Sequence, residues 1–206
     1  CADSIDAESL LNGNAAPRRR AEMQEKYFLY LTTELAPRIL ALNAPAAKGE
    51  GAEKGAEPIE VSPILWCAGV DTGAYQAVNC RLRRPELFAG AIGLSGLYDV
   101  RRFLGREADD LILRNSPIAA LHEDGILAKD ALAKAGENSL LLCAGQGNYE
   151  GEALDDTQSL ADALQDQGLP AHLEIWGGDV SHDWYWWGKE FGLFAERIFD
   201  CSSLRF

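Results

Sequence analysis

The sequence predicts an α/β fold: a mostly parallel central sheet flanked by helices, built as one domain over residues 1–206. Two observations carry this prediction. Short apolar runs alternate along the chain with longer segments of helical period, the order expected of strands joined by crossover helices. Those runs are also apolar at successive positions, as strands covered on both faces are. A third bound is size: 206 residues, 47% of them hydrophobic, can bury a sizeable core.

The elements follow in order. Residues 18–42 predict one long helix, with Pro17 at its start and Tyr27, Leu31, Leu35 and Ile39 recurring every four residues. Residues 43–58 are rich in Ala, Gly, Lys and Glu without apolar period, which predicts an exposed, flexible connection. A strand is expected over 63–68, closing on Gly69, then a helix over 73–82 halted by Arg83-Arg84-Pro85. Further strands are expected over 90–94 and 139–144, a helix over 154–167 punctuated by Gly168 and Pro170, and a last strand over 171–176. A final helix is expected over 189–199, and residues 101–135 read as irregular or helical cover over the sheet rim.

Charge narrows the partners. Nineteen Lys plus Arg against 32 Asp plus Glu give a formal net charge of -13, which repels nucleic-acid backbones and anionic membrane surfaces. A small-molecule substrate is expected instead. No apolar stretch approaches the roughly 20 residues needed to span a bilayer. The five cysteines are widely spaced, odd in number and in no metal-ligand pattern, which predicts reduced thiols, a cytoplasmic setting and no bound metal. No phosphate loop or nicotinamide fingerprint occurs, so no cofactor is expected.

The segment with chemical content is Gly69-Val70-Asp71-Thr72-Gly73, between a predicted strand and a predicted helix. Apart from its centre it has the form of a nucleophile elbow, G-x-S-x-G. Glycines at the two ends permit a sharp turn and close approach of strand and helix. The central side chain is lifted into the open at a helix N-terminus, which favours negative charge. Asp71 also suits the simpler role of helix cap. Elbows of this kind are followed in the chain by an acid and then a histidine. Of the three histidines, His172 alternates with apolar neighbours in a strand and His122 follows no strand. His182 lies just beyond the last strand, where a general base is expected. The acid is expected from the loop at 145–150, with Glu150 first choice and Glu152, Asp155 and Asp156 as competitors. Val70, Thr72 and Trp184 are expected to line the pocket, the Thr72 amide as an oxyanion donor; the cluster of Trp184, Trp186 and Trp187 offers pocket lining, with helix and sheet-edge packing the simpler role for at least two of the three.

Several motifs together resemble bacterial esterases of the α/β-hydrolase fold, the esterase D and mycolyltransferase-like group. They are Asp3-Ser4-Ile5-Asp6-Ala7-Glu8-Ser9, Gly73-Ala74-Tyr75-Gln76-Ala77, Arg84-Pro85-Glu86-Leu87-Phe88, Leu94-Ser95-Gly96-Leu97-Tyr98-Asp99, Gly145-Gln146-Gly147 and Ser181-His182-Asp183-Trp184-Tyr185-Trp186-Trp187. The resemblance implies a hydrolase of small carboxylic esters with His182 as base and Glu150 as acid. It places Asp71 where the family has its nucleophilic serine, and leaves Ser95 as part of a strand-end motif. In the family the first strands, and the loop giving a second oxyanion amide, precede the point where this chain starts; the resemblance implies that they are supplied by a separate chain, have been removed, or are not part of this protein. The chain is then expected to begin at its fourth strand, Cys1-Ala2-Asp3, and to meet an N-terminal segment, a partner chain or a second copy along its open sheet edge.

An aspartate at this position suits attack on an sp³ carbon, giving an alkyl ester that histidine-activated water hydrolyses. Attack on an acyl carbon gives a mixed anhydride, and an Asp71–His182 ion pair keeps the histidine protonated. The alternatives are a catalytically disabled scaffold used for binding or assembly, and a hydrolase using Cys1 as N-terminal nucleophile.

Overall fold

The computed structural model describes residues 2–43, 65–105, 109–122, 127, 139–169 and 171–199. Four strands form one sheet: β1 (Leu65–Val70), β2 (Phe88–Leu94), β3 (Leu140–Ala144) and β4 (His172–Ile175). They pair in the order β1-β2-β3-β4, every pair parallel. The registers Val70↔Leu94, Leu94↔Cys143 and Cys143↔Glu174 bring all four carboxyl ends to one side.

Period-two alternation sorts the strand side chains onto the two faces. Ala91, Leu140 and Leu142 enter one core with Tyr75, Val78, Leu160 and Leu164. Ile92, Leu94, Leu141 and Cys143 enter the other, with Trp187 and Phe194. The first face is covered by α3 (Thr72–Arg83) and α7 (Gly151–Asp166), the second by α8 (Trp184–Phe199). In the stretch expected to be irregular or helical, residues 101–135, the described part carries three short helices, α4 (Arg101–Leu104), α5 (Asp110–Arg114) and α6 (Pro117–His122).

The first predicted helix is interrupted. It runs as α1 (Pro17–Leu29), a π-helical segment Tyr30–Leu35, and α2 (Ala36–Asn43). Here the Ala36 amide donates to the Leu31 carbonyl, five residues back. The Thr32 and Thr33 hydroxyls donate to the carbonyls of Phe28 and Leu29 at 2.8 and 2.7 Å. Pro37 has no amide to give, and its ring opposes the carbonyl four residues back. A widened turn before it accommodates both facts.

Two boundaries move for identifiable reasons. The last helix begins at Trp184 rather than 189, because the Asp183 carboxylate accepts from the amides of Tyr185 and Trp186 at 3.0 and 3.2 Å. The strand expected at 1–3 does not form at Ala2 and Asp3, which lack a sheet neighbour among the described residues. Cys1, Cys201 and the connection expected after Asn43 lie outside the described residues. Cys67, Cys80 and Cys143 are free thiols. Among the described residues no helix is long and apolar enough to cross a membrane.

Candidate active site at the carboxyl ends of the strands

Each strand delivers one residue to a common point. β1 leads directly into Asp71, whose backbone sits at φ 52° and ψ -123°. Non-glycine residues reach this region only at a cost of about 1–3 kcal/mol, and it is characteristic of residues held for function. The turn requires Gly69: a Cβ there would lie 2.1 Å from the Gly73 carbonyl oxygen. Although Asp71 occupies the N-cap position of α3, its side chain makes no capping hydrogen bond. It points instead toward His182, with Oδ2 at 4.0 Å from Nε2. The capping role is thereby replaced by an ion pair across the site.

Behind the imidazole stands Glu150, whose Oε1 is 3.4 Å from His182 Nδ1. The two are close enough to attract as charges but are not aligned as a hydrogen bond. Glu150 is 1% exposed, whereas Asp71 retains 40% side-chain exposure. The histidine therefore has a solvent-facing carboxylate on one side and a buried one on the other. The two flanking carboxylates, Asp71 foremost and then Glu150, push its pKa up to about 9, with burial opposing.

The loops carrying Glu150 and His182 are fastened to each other by their backbones. The Gly147 amide donates to the Val180 carbonyl at 2.7 Å, and the His182 amide to the Asn148 carbonyl at 3.0 Å. A Cβ on Gly145 or Gly147 would meet the Val180 oxygen at 2.3 or 2.5 Å. The glycines of the Gly145-Gln146-Gly147 motif thus allow two loops to lie in contact.

The competing acids are placed elsewhere. Glu152 pairs with Arg102 at 2.8 Å on the surface, and Asp155 is exposed. Asp156 is buried against Arg102 and accepts from the Asp99 amide at 3.0 Å. Of the other histidines, His122 is exposed at the end of α6. His172 belongs to a cluster in which Glu174 binds it at 2.9 Å and Arg197 at 2.7 Å.

Two residues named in the sequence for other reasons, Ser95 and Trp187, and one not named at all, Glu190, stand around the acid and the histidine. Ser95, at the end of β2, is fully buried and donates its hydroxyl to Glu150 Oε1 at 2.8 Å. Trp187 donates its indole N–H to the same serine oxygen at 3.0 Å and meets the His182 ring edge-on, centroids 4.7 Å apart. Glu190, one turn further along α8, is completely buried. Like Asp71, Ser95 sits at a strand end with a positive φ, at 47°. Trp184, expected as a pocket residue, is 76% exposed and stacks edge-on upon Trp187 at 5.2 Å. Val70 packs partly into the second core. Thr72 opens α3, so its amide has no intrahelical acceptor, while its hydroxyl donates to Asp6 at 2.7 Å. Among the described residues no cluster of His, Cys, Asp and Glu is arranged to hold a metal. A groove of about 440 Å³ lined by Ile5, Met23, Tyr27 and Tyr30 includes none of the site residues.

A parallel sheet covered on both faces, with an acute strand–helix turn after one strand and acidic and histidine loops after two others, defines the α/β-hydrolase fold. Solved structures agree. The chain is similar to a ferulic acid esterase, at 18% identity and a TM-score of 0.54 over 82% of this chain and 58% of that one. An S-formylglutathione hydrolase from Agrobacterium tumefaciens gives 14% identity and 0.54 over 81% and 55%. MPT51 from Mycobacterium tuberculosis gives 17% and 0.55 over 83% and 67%. The chain thus spans a little over half the length of the first two. No protein-family model matches the sequence, and no curated protein does.

Proposed function

We propose that this protein is a hydrolase in which Asp71 is a covalent nucleophile toward a small molecule bearing an electrophilic carbon. The observation that carries the reading is Asp71 itself: a strained backbone that turns its carboxylate away from the helix and toward His182. Strain of this kind persists only where the surrounding structure imposes it.

The charge arrangement suits a two-step reaction. The Asp71 carboxylate attacks the carbon, forming a C–O bond while the leaving group departs with its bonding electrons. Esterification removes the free Asp71 carboxylate, whose interaction with the imidazole is the first cause of the raised His182 pKa. The imidazole then releases its proton more readily and becomes a base. Water adds to the aspartyl carbonyl, its proton passing to His182; on collapse the alkoxide leaves with that proton as the alcohol, and Asp71 loses its remaining proton to solvent, which restores the carboxylate. Glu150 stabilises the imidazolium formed in this step. The Thr72 amide is suited to receive the developing oxyanion. Small carboxylic esters remain a substrate class to test, because the similar solved structures include an esterase.

Intact mass after incubation with short haloalkanes, epoxides and p-nitrophenyl esters tests the proposal. A His182→Ala variant should accumulate an adduct at Asp71, and the parent should turn the same compound over. No adduct in the variant and no turnover in the parent on any of them would sink it.

A second reading, a scaffold without activity, is favoured by the protonated His182. Its signature would be an inert parent and an active Asp71→Ser variant.

A further inference from the structure

Glu190 lies three residues beyond Trp187 on α8, hence on the same helix face. It is 0% exposed. Neither of its carboxyl oxygens has a hydrogen-bond partner of good geometry among the described residues, and neither does Glu150 Oε2. The groups that bear on it are the Cys143 thiol of β3, a weak donor, and Glu150 and His182 on the two fastened loops. Glu174 of β4 acts on the same Cys143 thiol. Lys189, its neighbour on α8, lies over the rings of Tyr185 and Trp186 instead. A buried carboxylate without a strong donor is costly, and acquiring a proton relieves it. Three oxygens of two buried carboxyls thus lack a donor. The two are linked through Trp187, which precedes Glu190 by three residues and whose indole reaches Ser95, the donor to Glu150.

We infer that Glu190 is a positioning residue of this site: it holds a proton behind Glu150, so that a single negative charge reaches His182 from the buried side. The inference rests on the Asp71–His182–Glu150 reading above. Burial, assisted by the Glu150 charge, pushes the Glu190 carboxyl up to about 7. Loss of that proton adds a second buried negative charge and tightens the hold of His182 on its own proton. The carboxyl thereby couples the protonation of the base to a group that substrate never touches.

The test is an NMR titration of the full chain with ¹⁵N-labelled histidine. In the parent, the His182 resonances should show a minor inflection near 7 from Glu190 and their own step near 9. Glu190→Gln should remove the lower inflection and weaken proton affinity at His182 by roughly three- to tenfold, half to one pH unit. Asp71→Asn should lower the His182 midpoint but keep the lower inflection. A Glu190→Gln curve that superimposes on the parent overturns the role of Glu190, while a shifted Asp71→Asn curve leaves the triad standing. If neither Asp71→Asn nor Glu150→Gln moves the midpoint, the triad reading falls, and this inference with it. Should Glu190→Gln fail to fold, ¹³C-carboxyl titration of the parent decides. One glutamate titrating near 7 supports the assignment, and all of them titrating in the ordinary range overturn it.

Discussion

At Asp71 two demands meet in one residue, a side chain that must face His182 and a backbone that pays for it in strain. They can be separated by substitution. Asp71→Gly and Asp71→Ala both delete the carboxylate, but glycine adopts a φ of 52° freely and alanine does not. Asp71→Gly is therefore expected to be more stable than Asp71→Ala by about 1 kcal/mol in chemical denaturation. Equal stabilities would mean the turn relaxes. Ser95 offers the complementary case. It links Trp187 to Glu150 through one buried hydroxyl. Removing it in Ser95→Ala leaves an indole N–H and a carboxylate oxygen without that partner, and should cost roughly 1–3 kcal/mol. Spacing and chain order singled out Asp71, Glu150 and His182 in the sequence, and the fold brings the three side chains together. Ser95 and Glu190 were not singled out as site residues, because Ser95 is distinguished by partners 55 and 92 residues away and Glu190 by complete burial. Neither quantity has a local signature.

At the scale of elements, the strands were legible and the helix ends less so. Apolar runs with period-two sorting are properties of a few adjacent residues, as in β2, where Ala91 and Ile92 serve opposite cores. The start of α8 depended on a cap, Asp183, inside a motif that reads first as chemistry. The π-helical segment depended on threonine hydroxyls competing for backbone carbonyls, which helical periodicity does not register. The tightest test of element packing is Gly69. With the Gly73 oxygen 2.1 Å from where a Cβ would stand, Gly69→Ala must separate β1 from α3. The expected loss is about 2–4 kcal/mol, measured by urea unfolding. A loss under about 0.5 kcal/mol would show that the turn has slack.

For the whole molecule the site determines how stability responds to pH. His182 has a folded pKa of about 9 against 6.5 in the unfolded chain. Its contribution is complete below 6.5 and disappears as pH rises through 9. Glu190 acts in the same sense lower down: raised from 4.5 to about 7, it withdraws stability across that interval. Carboxylates lowered by cationic partners, Glu25 beside Arg83 and Asp99 beside Arg101, oppose both by weakening the fold on acidification. The midpoint of thermal unfolding should thus fall between pH 6.5 and 9, and Glu190→Gln should flatten the part below about 7. A parent profile that rises between pH 6.5 and 9 would contradict the charge assignment at His182, and a Glu190→Gln profile unchanged below about 7 would contradict that at Glu190.

The edge-on contact between Trp187 and His182 gives the protein an internal optical gauge. An imidazolium withdraws excitation energy from a neighbouring indole more effectively than a neutral imidazole does. Light emitted by Trp187 should therefore brighten when His182 gives up its proton, whether alkali or a covalent adduct on Asp71 is the cause. Subtracting the signal of a Trp187→Phe variant isolates it from the other indoles. The protein would then report the state of its own base in real time, without a label or a known substrate.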